Sequence, residues 1–265
     1  MILLAVLSGC GGPAPVTTSS TPPAPAAAEA PQAAVADFVL PLDQYWIGAT
    51  AAAVIRTARD RQATRCLATQ GIAWTPATVR RRPELEGNAR RYGVIDAGTA
   101  RRYGYHVPPA DEPAQQLPQA QAAKLEACKA AADKTLRAGV AKGDEGWLDQ
   151  LSFASMNRSA VAPGVVRATE AWSRCMKAAR FGYPDPMAAV SDPHWQLDSP
   201  EISPTEIAVA TADVRCKEKT RLVAVRAKAE SAIQEQAIAA TPARFSAIAQ
   251  ANTALLTNAN AMLTN

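Results

Sequence analysis

Five cysteines and two histidines carry most of the chemistry this 265-residue chain could perform. Cys10 closes Leu7-Ser8-Gly9-Cys10, which reads as a lipobox. Small residues ahead of the cut fit a narrow signal-peptidase pocket, and the cysteine thiolate is the group that takes the diacylglycerol. Cys66, Cys128, Cys175 and Cys216 remain, an even number that an oxidising compartment would pair. Zinc is the rival reading. The sequence has no Cys-x-x-Cys, its histidines are His106 and His194 alone, and the spacings of 62, 47 and 41 residues match no ribbon or finger. Two disulfides are expected, with no metal and no cofactor.

A faint internal repeat chooses among the three ways of pairing four cysteines. Thr64-Arg65-Cys66-Leu67 leads to Gly71, Trp74 and Pro76, and Ser173-Arg174-Cys175-Met176 leads to Gly182, Tyr183 and Pro184. Each passes through a proline-rich loop to a helix with a second cysteine, Ala127-Cys128-Lys129 or Arg215-Cys216-Lys217. Two helix–loop–helix units, each with its own staple, are the simplest account, so Cys66–Cys128 and Cys175–Cys216 are predicted. Closing loops of these lengths stabilises by roughly 4 kcal/mol each on loop entropy alone, before native strain is subtracted.

A second signal is the pair Arg90-Arg91-Tyr92-Gly93 and Arg101-Arg102-Tyr103-Gly104, eleven residues apart. Arg90, Arg91, Tyr92, Arg101, Arg102 and Tyr103 are candidate binding residues: such pairs could stack on a partner and clamp its anions. They could equally be packing anchors at helix ends. His106 and His194 could each act as a general base, yet neither lies beside a recognisable Ser, Cys or carboxylate motif, and no Gly-x-Ser-x-Gly or His-Glu-x-x-His occurs. No catalytic residue is assigned. The aromatic loop from Tyr183 to Trp195 is another binding candidate, unless Trp172 and Trp195 cover the second disulfide.

The formal charge is +4, unevenly spread. Arginines outnumber carboxylates by seven between Arg56 and Arg102. A basic patch of that kind could meet anionic phospholipid heads or wall polymers, or be a solvated face. Nucleic acid is excluded as a partner if the chain is exported.

The elements that position these residues read as all-α. Residues 1–9 form an apolar leader, shorter than usual and without the customary basic start. Residues 10–37, from the lipidated cysteine onward, are mostly Gly, Pro, Ala, Ser, Thr and Val, a composition too poor in apolar surface to fold; a disordered tether is expected. An all-α domain follows over residues 38–265, with 38–142 and 143–265 as possible subunits. Helices are expected over Ala49–Gln70 with Gly71 as the stop, from an Asp96 cap to Tyr103 with Gly104 beyond it, from Pro118 to Arg137, over Trp147–Val161 and over Pro163–Arg180. Ser203-Pro204-Thr205-Glu206 combines a hydroxyl cap, proline at N1 and glutamate at N3. That start predicts one uninterrupted helix to Ala240, about 54 Å long. Thr241-Pro242 opens a last helix to Leu263. Together they would make a long C-terminal, coiled-coil-like arm, its a/d stripe (Ile207, Ala210, Val214, Arg221, Val225, Ile233) interrupted and alanine-rich.

Trp172-Ser173-Arg174-Cys175-Met176, Gly182-Tyr183 and Ala210-Thr211-Ala212-Asp213-Val214-Arg215-Cys216-Lys217 resemble segments of uncharacterised secreted proteins and lipoproteins of high-GC Gram-positive (actinobacterial) bacteria. Leu40-Pro41-Leu42-Asp43-Gln44-Tyr45, Arg91-Tyr92-Gly93-Val94 and Arg102-Tyr103-Gly104-Tyr105 are similar to that group too, so the likeness spans most of residues 38–250. It implies a lipid-anchored envelope protein and supplies no activity, ligand or catalytic residue.

Three functional expectations stand. The first is a membrane-anchored, extracytoplasmic, non-catalytic binding or scaffold module of the cell envelope, with an envelope protein or anionic wall polymer as partner. The second is an accessory subunit of an envelope transport or export complex that docks through the terminal helices. The third is a cell-wall-modifying enzyme with an unrecognised site. A two-lobed solute-binding protein is disfavoured because no βαβ alternation is present.

Overall fold

The computed structural model describes residues 38–79, 82–109, 115–141 and 145–264. The expected leader, lipidated Cys10 and tether lie outside the described residues. The described residues belong to one compact unit. Among the described residues the regular elements are helices and no strand occurs: α1 (Ala49–Ala68), α2 (Ala97–Tyr103), α3 (Gln119–Leu136), α4 (Glu145–Ala160), α5 (Pro163–Ala178), α6 (Pro186–Val190), α7 (Pro204–Thr220), α8 (Leu222–Ala240) and α9 (Pro242–Thr264). No helix is long and apolar enough to cross a membrane among the described residues.

Both predicted disulfides are present. Cys66–Cys128 joins α1 to α3 and Cys175–Cys216 joins α5 to α7, each with its Cα atoms 5.7 Å apart. The two units repeat more closely than the sequence suggests. α1 stops where Gly71, left-handed at φ 71°, donates its N–H to Ala68 O at 3.0 Å while the Ile72 N–H reaches Leu67 O at 3.0 Å. α5 stops in the same turn, with Arg180 at φ 70°, its N–H 3.0 Å from Lys177 O, and the Phe181 N–H 2.9 Å from Met176 O. This is the Schellman pattern, which satisfies the last carbonyls of a helix through one left-handed residue. Gly71 and Arg180 each follow their cysteine by five residues, and Trp74 and Tyr183 by eight. Arg180, not Gly182, is therefore the counterpart of Gly71.

Among the described residues, four apolar clusters hold the helices together. The largest lies where α5 and α7 meet, around Trp172, Met176, Val165, Val209, Val214 and Trp195. α5 supplies Val165, Ala168, Trp172 and Met176, a stripe at helical spacing. A second cluster, with Leu67, Trp74 and Leu125, packs around the Cys66–Cys128 bridge. The other two seat earlier segments on α9: Leu42 and Leu148 meet Phe245 and Ile248, and Ala58 and Leu136 meet Leu255 and Ala259. The halves 38–142 and 143–265 thus interlock, since α2 packs on α7 and α1 on α9.

The run expected as one helix from 204 to 240 is two. Arg221 adopts the left-handed conformation, φ 55°, with its N–H turned to Glu218 O, and ends α7 before α8 begins. No Gly, Asn or Pro marks the spot, and a left-handed arginine costs about 1–2 kcal/mol, which tertiary packing offsets. Here α8 is re-aimed onto α4 and α5. The C-terminal helical arm is packed rather than projecting, because α9 lies against α1 and α3. Asn252 Nδ2 donates to Tyr45 O at 2.8 Å and Asn258 Nδ2 to Leu136 O at 2.8 Å, stitching α9 to the turn before α1 and to the end of α3.

Candidate functional site

α7 is buried on most of its circumference, so its polar residues must find partners inside the protein. Glu206, Asp213 and Lys217 lie on one stripe of it, all buried. Ser203 caps the helix as expected, its Oγ accepting from the Glu206 N–H at 3.1 Å. The Glu206 carboxylate turns inward: Oε1 accepts from the Tyr105 N–H at 2.7 Å and lies 2.8 Å from His106 Nδ1. His106 therefore has a carboxylate partner that the sequence reading did not find, one hundred residues away. His106 Nε2 and Glu206 Oε2 are buried and make no hydrogen bond.

Two and three turns further along α7, Asp213 and Lys217 pair: Lys217 Nζ donates to Asp213 Oδ2 and to Val94 O, both at 2.8 Å. Asp213 Oδ1 also accepts from Trp172 Nε1 at 2.9 Å, and the Tyr105 hydroxyl lies 3.4 Å from Oδ2. Burial pushes the Asp213 carboxyl up and the Lys217 ammonium down, against the attraction between them. Burial likewise raises the Tyr105 phenol, and Asp213 adds to the rise.

The third buried acid is Glu230 of α8, which takes up the first Arg–Tyr signal. Arg91 Nε sits 3.1 Å from both its oxygens, with the Arg91 Nη2 also paired to it and 2.8 Å from Ser152 O. Tyr92 donates its hydroxyl to Glu230 Oε2 at 2.6 Å, and Ser155 and Gln234 donate to Oε1 at 2.8 and 2.9 Å. The Tyr92 ring lies between Phe38, stacked at 5.2 Å, and the Arg226 guanidinium at 4.7 Å. Burial by itself pushes the Glu230 carboxyl up, but the hydrogen bonds from Arg91 and Tyr92 and the Arg91 charge outweigh it and hold it below its usual value. Arg90 donates to Tyr105 O at 3.2 Å and to His106 O at 2.8 Å.

Arg90, Arg91 and Tyr92 are thus spent on architecture. Arg101 and Arg102 are exposed on α2, with the Arg102 guanidinium 5.2 Å above the half-buried Tyr103 ring. The two Arg–Tyr signals share a pattern and not a role; an ungapped sequence cannot tell them apart because the distinguishing partner, Glu230, lies some 139 residues away.

The aromatic loop from Tyr183 to Trp195 turns its rings inward. Tyr183 donates to Asp192 Oδ2 at 2.7 Å, and Trp195, buried, donates to Ala189 O at 2.7 Å. Asp185 caps α6, a short helix the proline-rich sequence did not suggest, by accepting from the Ala188 N–H. His194 is exposed, with Nδ1 2.6 Å from Asp192 Oδ1. Trp172, Trp195 and both cysteines of the second disulfide belong to one cluster, which fits the covering role considered for those tryptophans.

No group of three His, Cys, Asp or Glu residues could hold a metal ion among the described residues. Fold and site together define an all-α, doubly disulfide-bonded domain whose buried ionisable groups join helices to one another. No protein-family model matches the chain, and neither a curated protein nor a solved structure shows significant similarity to it.

Proposed function

We propose that the protein is a lipid-anchored, extracytoplasmic binding or scaffold module of the bacterial envelope, tethered through Cys10 and presenting its helical surface to an envelope protein or an anionic wall polymer. One observation carries the reading. Four of the five cysteines are locked in two disulfides, a state consistent with an oxidising compartment, and the fifth, Cys10, is the one the sequence places in a lipobox. The resemblance to secreted proteins and lipoproteins of high-GC Gram-positive bacteria supports the same reading. So does the exposed face of Arg101 and Arg102, whose guanidinia are available to anions.

The test is fractionation of the native chain and a Cys10→Ala variant after crosslinking in intact cells. The native chain is expected in the membrane fraction, with a diacylglycerol mass on Cys10 and a crosslinked envelope component. The variant is expected in the medium. A native chain recovered from the cytosol with reduced sulfurs and no lipid overturns the proposal.

A further inference from the structure

α1 carries an anomaly on the stripe that faces α3 and α9. Ala52, Ile55, Arg56 and Arg59 recur at i, i+3, i+4 and i+7, the spacing of a core-facing stripe, yet two of the four are arginines. They line a cleft of about 390 Å³ with Ile47 and Leu255 as apolar floor and Asp133 and Arg137 of α3 as the opposite wall. That volume falls in the range of small-molecule sites, about 300–1,000 Å³.

Its charge is lopsided. Three guanidinia and one carboxylate line it; Arg137 has a partner of its own, and Asp60, outside the lining, stands 3.6 Å from Arg59 Nε. Arg59 Nε is nonetheless buried without a hydrogen bond, and the Arg56 guanidinium has neither hydrogen bond nor ion pair among the described residues. Arg56 and Arg59 are only partly buried, so water solvates them in the free protein, and an anion seated between them would replace that water with charge-assisted hydrogen bonds. Arginine forks one helical turn apart suit the several oxygens of one phosphate or carboxylate, while an apolar floor of Ile47, Ile55 and Leu255 gives such an ion nothing and an alkyl chain a place to lie.

The geometry points to a ligand site in this cleft for a single-chain anionic amphiphile, its phosphate or carboxylate head held by Arg56 and Arg59 and its alkyl chain laid over Ile47, Ile55 and Leu255. The site lies in α1, α3 and α9 and does not depend on Cys10 or on any partner of the envelope reading.

Isothermal titration of the full chain with monomeric n-decyl phosphate tests it, with inorganic phosphate and n-decyl maltoside as the head-only and chain-only probes. Saturable one-to-one binding of decyl phosphate is expected, at least about tenfold tighter than either control, as loss of a charged hydrogen bond or of chain burial implies. Arg56→Ala/Arg59→Ala weakens it at least about tenfold, whereas Arg167→Ala/Arg174→Ala, two exposed arginines of α5, leaves it unchanged. Ala52→Trp fills the cleft with every charge in place and abolishes binding; thermal melts confirm that the variants remain folded. Equal binding by decyl maltoside, undiminished binding by the Arg56/Arg59 or Ala52→Trp variants, or no saturable binding overturns the assignment.

Discussion

The backbone of Gly104 and the carboxylate of Glu206 are fitted to each other: a β-carbon on residue 104 would stand 2.8 Å from Glu206 Cδ and nearer still to Oε1. Gly104 also has φ 55°, and its own N–H closes α2 on Ala100 O. The one residue type that tolerates this φ is also the one that lets Glu206 reach Tyr105 and His106. Gly104→Ala should therefore cost clearly more than the roughly 1 kcal/mol of an ordinary left-handed glycine. Urea unfolding midpoints for Gly104→Ala and Gly71→Ala make the comparison, since a β-carbon at Gly71 meets no atom within 4 Å. Equal losses would mean that the fit to Glu206 does not matter.

Lys217 is 2% exposed in its side chain and Asp213 not at all, so removing one charge strands the other. Asp213→Ala should lose about 3–5 kcal/mol. Asp213→Leu/Lys217→Met should recover at least about 2 kcal/mol of that loss, because no charge is left to desolvate. Denaturant unfolding of both variants beside the native chain gives the two differences.

Glu230 sets a pH dependence of a definite sign. Its folded carboxyl titrates below its unfolded value, so its contribution is present above about pH 4.3, the unfolded pKa, and fades as pH falls through the lower folded one. Glu230→Gln should be less stable than the native chain at pH 7 and show a flatter decline below pH 4.3. Stability curves against pH for the two proteins give the answer; parallel curves would count against it.

Asp192 is the surface counterpart. The Tyr183 hydroxyl, and next the His194 backbone N–H, hold its carboxyl down to about 2. Tyr183→Phe should shift the midpoint of the Asp192 carboxyl ¹³C titration upward toward the ordinary aspartate value of about 3.9. No movement would mean that the 2.7 Å hydrogen bond does not persist in solution.

Arg180 holds a glycine's place in the second unit. Arg180→Gly should stabilise by up to about 1 kcal/mol, and Gly71→Arg should destabilise by a similar amount, through the left-handed backbone each position demands. Thermal melts of both variants test the equivalence of the two turns.

The helical class, the main helix bounds and the disulfide pairing were legible because their signals are local. Asp96 does cap α2 through the Thr99 N–H, Pro163 and Pro204 do open their helices, and the cysteine-bearing segments do repeat. What was not legible depends on partners far along the chain. Arg221 breaks a helix without any breaker residue, since packing of α8 on α4 and α5 sets the angle. Glu206 looks like a helix-start residue and is one, yet its carboxylate is committed to His106. The Arg56 and Arg59 stripe reads as surface charge until α3 and α9 are placed opposite it.

The contact between α1 and α9 has a further consequence for biosynthesis. A ribosome delivers α1 well before α9, so Ala58 has to wait for Leu255 and Ala259, nearly two hundred residues later, before its side of the helix is covered. Leu42 waits in the same way for Phe245 and Ile248. Until α9 emerges, and in a chain truncated before Pro242, α1 keeps an open apolar seam.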